Sequence, residues 1–297
     1  SLAARASDQG GSQKLMIGIE EPELYQHPPQ ARYLADALCD LANNNHQIVV
    51  TTHSPLFISG RNFESIRALR KSENTTVVKS WSVDEQRSYC AVRRGENPIG
   101  ALATLSGIDR SLQTQIAEIF FASKVILVEG QEDVAIINSY ITSMGFFREF
   151  LSQGCHIVPV GGKEKMPVLI AMARGFSIDL FCVFDMDMDH SPNDQRNGEI
   201  IRYAQDNDID IDVEVDNFFE SEYFFGWRND IQKAIAHDRD DWFPTAEAVA
   251  KEWGWTYARM KKDPMLLKEC IERITVTGAA IPALDALVGQ LREFWLR

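Results

Sequence analysis

No apolar stretch in the 297 residues approaches the roughly 20 needed to cross a bilayer, and Ser1 to Gln13 lacks the charged and apolar regions of a signal peptide. Both absences point to a soluble protein. The five cysteines (Cys39, Cys90, Cys155, Cys182, Cys270) include no CxxC pair, which argues against a disulfide framework or a zinc site and suits a reducing cytoplasm. Basic charge is scarce: 30 Lys and Arg against 43 Asp and Glu leave a formal net charge of -13. A broad basic face for nonspecific nucleic-acid binding is therefore not expected. Nucleic acid is not excluded, because carboxylates gathered around divalent cations are neutralised when the metal binds. The small basic clusters at Arg93-Arg94, Lys163 to Lys165 and Lys261-Lys262 read as solvated surface. The phosphate-cradling loop GxxxxGK[ST] is also missing, so this chain is not expected to hydrolyse ATP.

What the chain does have is acid placed after short apolar runs. Val125 to Val128 leads into Glu129-Gly130-Gln131-Glu132-Asp133, and Phe181 to Phe184 leads into Asp185-Met186-Asp187-Met188-Asp189. Glu220-Ser221-Glu222 follows later. An apolar run of about four residues ending in carboxylates reads as a buried parallel strand that delivers acids to its C-terminal edge, where open α/β sheets place their sites. Between these runs, His156 to Val160 forms another strand and leads into Gly161-Gly162-Lys163, a turn that lets backbone approach an anion. Helices over Glu132 to Met144, stopping at Gly145, and Met166 to Ala173 complete an alternation that predicts a parallel sheet with right-handed crossovers.

A similar signal comes earlier. Leu15 to Ile19 reads as a buried strand ending in Glu20-Glu21-Pro22-Glu23, and after a helix over Gln30 to Leu41, Gln47 to Thr52 reads as a second one ending in His53-Ser54-Pro55. Paired carboxylates beside a histidine suit nucleotide hydrolysis. The stretch resembles the Walker B segment and switch histidine of ABC-type ATPases of the SMC and RecF-like kind. The resemblance implies Glu20 as the magnesium-side acid, Glu21 as catalytic base and His53 as switch residue, in an ATPase whose front half is absent. Ser65 to Leu69 and Thr75 to Lys79 predict a hairpin, with Glu73-Asn74 near its turn, that finishes this lobe's sheet. Pro98 to Ala122 reads as a helical connector.

The order EGxxD, strand-Gly-Gly-Lys, DxD resembles the Toprim domain of topoisomerases, bacterial primases, RecR-type proteins and nucleases. A partial ATPase followed by Toprim resembles the OLD (overcoming lysogenization defect) family of ATP-dependent nucleases, over roughly Leu15 to Glu222. The resemblance implies an α/β fold: a Toprim-type parallel sheet flanked by helices, a partial ABC-type ATPase lobe before it and a helical C-terminal region after it. The corresponding boundaries are 1–14 for a disordered or artificial end, 15–97 for the ATPase part, 98–122 for the connector, 123–228 for Toprim and 229–297 for the helical region. It also implies a metal-dependent DNA endonuclease with two Mg²⁺ or Mn²⁺ ions, held by Glu129, Asp133, Asp185, Asp187 and Glu220, with Glu222 the second choice for the last acid. Glu129 is the catalytic glutamate, and Asp189 lies just outside the ligand set. The distal lysine is read as Lys262, ahead of Lys261 and Lys268. ATP acts only in the intact protein, a homodimer is implied, and phage defence or DNA repair is the suggested setting. Five converging carboxylates would repel one another severely without cations, and hard oxygen ligands suit these metals. Topoisomerase or primase chemistry on the same fold, or a non-catalytic RecR-like module, are the alternative readings. From Asp230 onward the chain reads as helices over Ile231 to His237, Thr245 to Trp253 (capped near Thr245), Met265 to Ile274 and Pro282 to Trp295, with Trp242, Trp253, Trp255 and Tyr257 as packing residues.

Overall fold

The computed structural model describes residues 14–72, 75–113, 115–191, 194–205, 216–276, 278 and 280–297. The expected disordered end and the Glu73-Asn74 turn lie outside the described residues. Two short strands open the chain, β1 (Met16–Glu20) and β2 (Gln47–Thr51), joined through α1 (Pro28–Asn43) and paired in parallel with Glu20 opposite Thr51. Neither strand is buried: their residues alternate between exposed and half-buried, because this pair is packed by α1 on one face only. β3 (Ala68–Ser72) and β4 (Thr75–Lys79) pair antiparallel with each other as a separate sheet, so they do not extend the first one as expected.

Helix α2 (Val83–Arg94) was not foreseen, although its signals are in the sequence. Ser82 and Glu85 form a reciprocal capping box, acidic Asp84 and Glu85 sit in the first turn, and Gly95 closes the helix in the left-handed conformation. The connector is not one helix: α3 (Ala101–Ser111) ends, and a 3₁₀ turn over Ile116–Phe120 follows. The break lets Ile116, Ile119 and Phe120 enter the same core as Ile108.

The main sheet has the order β6-β5-β7-β9-β8. Its chain order is β5 (Lys124–Val128), α4 (Gln131–Ser143), α5 (Phe147–Ser152), β6 (Cys155–Pro159), α6 (Met166–Gly175), β7 (Asp179–Asp185), α7 (Gln195–Ala204), β8 (Phe218–Glu220) and β9 (Phe224–Trp227). β6, β5 and β7 run parallel, as expected; β9, which the sequence reading did not name, joins them in parallel, and β8 is an antiparallel edge. Alternate residues of each strand feed opposite cores. Ile126, Val128, Phe181 and Val183 join α4 and the C-terminal helices, while Val125, Leu127, Cys182 and Phe184 join α6 and α7. Burial on both faces explains the continuous apolar runs.

The C-terminal region is helical: α8 (Ile231–Asp238), α9 (Trp242–Glu252), α10 (Tyr257–Met260), α11 (Pro264–Thr275) and α12 (Pro282–Leu296). Thr245 lies inside α9, whose N-cap is Asp241. Trp242 is fully buried as expected, whereas Trp253 is 46% exposed. Among the described residues no helix is long and apolar enough to cross a membrane.

The domain leans on one close approach. Trp81 donates from Nε1 to Gln86 Oε1 (2.7 Å), and Gln86 Nε2 donates to the Val168 carbonyl (3.1 Å), tying α2 to α6. A Cβ added at Gly175 would fall on the Trp81 ring. Gly175→Ala should therefore lower unfolding free energy in urea by about 1–3 kcal/mol; an unchanged midpoint would show that Trp81 is free to move aside.

Candidate active site

The connections place β5 at a switch in strand order: β6 follows it on one side and β7 on the other. Such a point opens a crevice at the carboxyl ends of the strands. Glu129 follows β5 directly, Asp185 ends β7, and the two bridge the switch, with the Asp185 N–H donating to Glu129 Oε1 at 2.8 Å. Asp133 lies in the first turn of α4 and its Oδ2 accepts from the Gly130 N–H (2.9 Å), so this buried carboxylate also caps its own helix.

Asp230 completes this edge, and the sequence reading passed over it. β9 lies beside β7 with Trp227 opposite Asp185, and the chain leaving β9 reaches Asp230, the N-cap of α8. Asp230 is near enough to Asp185 to raise its pKa. The signal was available: Phe224 to Trp227 is one more apolar run with an acid just after it. Glu220 and Glu222, the residues expected to supply the last acid, are placed elsewhere. β8 runs antiparallel to β9 with Glu220 opposite Phe225, so the turn holding Glu222 lies at the sheet edge opposite to Asp185. Glu220 faces Gln290 and Glu293 of α12, and Glu222 pairs with Arg297.

The second surprise is Lys163. Gly161 and Gly162 both hold positive φ, and their N–H groups donate to the Glu129 carbonyl at 2.9 and 3.2 Å. These donors are therefore committed to the backbone and do not await an anion. The turn folds back over the end of β5 and buries Lys163, with its side chain 4% exposed. Its Nζ donates to the Asp185 carbonyl (2.8 Å) and to Asp187 Oδ2 (2.7 Å), and lies 2.9 Å from Asp194 Oδ2 and 3.3 Å from Asn197 Oδ1. What the sequence presents as a basic surface patch is an internal cation. Its burial could not be read from the turn alone, because its partners lie 22 to 34 residues away.

The rest of the Asp185–Ser191 loop is equally well fixed. Asp187 sits in the left-handed region (φ 52°), which aspartate tolerates, and its carbonyl accepts from the N–H groups of His190 and Ser191. Asn197 Nδ2 donates to the Met186 carbonyl (2.7 Å). Asp189 pairs with Asn229 and Arg228, pinning the loop to the strand end that leads to Asp230. Of the candidate lysines, Lys268 pairs with Glu272. Lys261 and Lys262 lie exposed in a turn tethered to α8, where Gln232 Nε2 donates to the Lys261 carbonyl (2.7 Å). In the first lobe Glu20 ends β1, and Glu21 comes within 3.9 Å of His53. Glu23 Oε1 accepts from Thr52 Oγ1 (2.7 Å) and the His53 N–H (3.0 Å).

Electrostatics separates two groups of acids. Burial, together with neighbouring carboxylates, raises Glu129 to about 7 and Asp133 to about 7, and it raises Asp185 well above the usual carboxylate range. Among the described residues no Lys, Arg or His lies within ion-pair distance of Glu129, Asp133, Asp185 or Asp230. Asp194, by contrast, is held far below its ordinary value by Arg196 and then by Lys163. Burial pulls Lys163 down, yet its hydrogen bonds to Asp187 and Asp194 keep it above its ordinary value. Asp133 is buried and Glu129, Asp185 and Asp230 are half-buried, with Lys163 lowering Glu129 in part; carboxylates of this kind are the oxygen ligands that hard cations prefer. As placed, no three acidic, histidine or cysteine side chains among the described residues converge to hold an ion.

Two segments of the chain match known families. A family described as "Overcoming lysogenization defect protein-like, TOPRIM domain" matches residues 120–187, and an AAA ATPase domain family matches residues 2–58, which include Glu20, Glu21 and His53. The chain is 29% identical over 193 residues to an OLD nuclease of Thermus scotoductus, covering 63% of this chain and 33% of that protein. It is 24% identical to the Old nuclease of Escherichia phage P2, covering 58% of this chain and 28% of that one. To the endonuclease GajA of Bacillus cereus it is 22% identical, covering 61% and 27%. The chain thus spans about a third of the length of these relatives. Among solved structures, the C-terminal region of the Xanthomonas campestris pv. campestris OLD protein aligns at TM-score 0.39 and 17% identity, over 60% of this chain and 96% of that one. The corresponding region of the Burkholderia pseudomallei OLD protein aligns at TM-score 0.35 and 17% identity, over 56% and 88%.

The raised value of Glu129 fixes the sign of a pH effect. A carboxyl with a raised folded-state pKa favours the fold while protonated, and that contribution is lost as pH climbs from its ordinary 4.5 through about 7. Glu129→Gln, which can still accept from the Asp185 N–H, should therefore melt above the parent at pH 8 in EDTA. The gap should close toward pH 4, and a variant less stable at pH 8 would contradict the uncompensated charge.

Proposed function

We propose that this chain, which joins an AAA ATPase segment to an OLD-like Toprim domain and so belongs with the OLD nucleases, cuts the phosphodiester backbone of DNA with the help of bound Mg²⁺ or Mn²⁺. The observation that carries the proposal is the placement of Glu129, Asp185 and Asp230 at the carboxyl ends of three adjacent strands, with Glu129 and Asp230 both close enough to raise the pKa of Asp185. When bound there, divalent ions would activate a water and stabilise the departing 3′ oxygen. Asp185, between the other two strand ends, is the central ligand. Glu129 and Asp230 flank it, and Asp230 takes the role that the sequence had given to Glu220 or Glu222. Asp133 supports Glu129 from the helix turn, and Asp187 presents its carboxylate from the loop beyond β7.

The exposed pair Lys261 and Lys262 sits in the turn that Gln232 anchors to α8, the helix that begins at Asp230. Lys262 is assigned to balance charge on the phosphate under attack, a role that needs a long, mobile cation at the rim of the site. The net charge of -13 then makes DNA binding dependent on the ions and on these few lysines. Glu20, Glu21 and His53 belong to the ATPase segment. ATP and dimerisation would act through them in the longer protein that these relatives represent.

A supercoiled plasmid with Mn²⁺ tests the reading. The purified chain should nick it, and Asp185→Ala, Glu129→Ala and Asp230→Asn should each slow nicking at least about tenfold. Glu220→Gln should stay within about twofold of the parent. No nicking by the parent, or nicking that the three variants leave unchanged, would overturn the proposal.

A further inference from the structure

Lys163 carries a role that metal chemistry alone does not explain. Its ammonium has three protons to give and is met by four oxygens: the Asp185 carbonyl, Asp187 Oδ2, Asp194 Oδ2 and Asn197 Oδ1, at 2.7 to 3.3 Å. These belong to the end of β7, the loop after it, and the start of α7. One buried cation thus ties the end of β7 and the loop after it to the start of α7. Charge is balanced locally: Asp194 also pairs with Arg196 at 2.8 Å, so two bases face Asp187 and Asp194. Among the described residues, Glu129, Asp133, Asp185 and Asp230 have no ion pair, although Lys163 is near enough to lower Glu129.

We propose that Lys163 is a resident cation, a positioning residue that keeps the Asp185–Ser191 loop in its site conformation when no divalent ion is bound. The inference deepens the metal-dependent reading and rests on it only for the effect of the ion. Without Lys163, the buried Asp194 carboxylate keeps only Arg196, the half-exposed Asp187 carboxylate loses its cation, and the Asp185 carbonyl and Asn197 Oδ1 lose their shared donor. A divalent ion at the neighbouring carboxylates can replace part of that lost positive charge. Loop order then becomes conditional on the ion in the variant, although it is unconditional in the parent. A lysine that merely stabilised the fold would show no such conditionality.

Amide hydrogen exchange of residues 185–191 in the full chain, in EDTA and in Mn²⁺, tests this. The parent loop should be equally protected in both. Lys163→Met should lose at least about tenfold of its protection in EDTA while the β5 and β6 amides keep theirs, and should regain it in Mn²⁺. Lys163→Arg should recover part of the EDTA protection. If Lys163→Met does not fold, Asp194→Asn, which removes one partner of the ammonium, should show the same conditional loss to a smaller degree. A parent loop that is ordered only in Mn²⁺, or a Met variant protected like the parent in EDTA, would overturn the proposal. Loss in EDTA that Mn²⁺ does not repair would leave the lysine as the loop's anchor but would sink the binding of metal at these carboxylates.

Discussion

Like charges placed at neighbouring strand ends are the constraint that the rest of the site answers to. Glu129, Asp133, Asp185 and Asp230 lie where β5, β7 and β9 end; Asp133 is buried, and desolvation raises the pKa of Glu129, Asp133 and Asp185. The fold tolerates this only because strong packing on both faces of the sheet holds the strand ends in place. The proposed function turns on this conflict: an arrangement costly for bare carboxylates would be favourable for the same carboxylates around a hard cation. Sites that break the rules of stability in this way are where chemistry is expected.

The loop beyond β7 faces the same problem and solves it internally. Lys163 reaches it from the turn after β6, and the two glycines with positive φ are what allow that turn to double back under Glu129. The acid edge proposed to take a divalent cation therefore lies beside a loop already held by Lys163. Glu129 links them, since its carbonyl fixes the glycine turn and its carboxylate holds the Asp185 N–H. Few single residues in the chain touch both halves of a site so directly.

Much of this was legible in the sequence because buried parallel strands write themselves as uninterrupted apolar runs. β5, β6 and β7, with the acids after β5 and β7, could be read that way, and so could the helices between them. Asp230 follows the same rule but is separated from Trp227 by two polar residues, and its role as N-cap of α8 makes it read as a helix start. Glu220 directly follows its apolar run, yet it lies at the far end of the sheet from Asp185 because β8 runs against β9, and strand direction is not legible in the sequence. Lys163 and Trp253 fail in opposite ways, one a buried charge and one a half-exposed ring, since burial of a long side chain depends on partners far along the chain. The ATPase segment shows the same limit: its strand ends and the Glu21 and His53 pair were readable, while the exposure of β1 and β2 depends on what packs against them.

Anomalous scattering from crystals of this chain grown with Mn²⁺ addresses the central claim most directly, because it locates the cation without relying on activity. The account predicts a peak bound by Asp185, with Glu129 and Asp230 on either side of it. A peak at Glu220 or Glu222, or none at the ends of β5, β7 and β9, would contradict it.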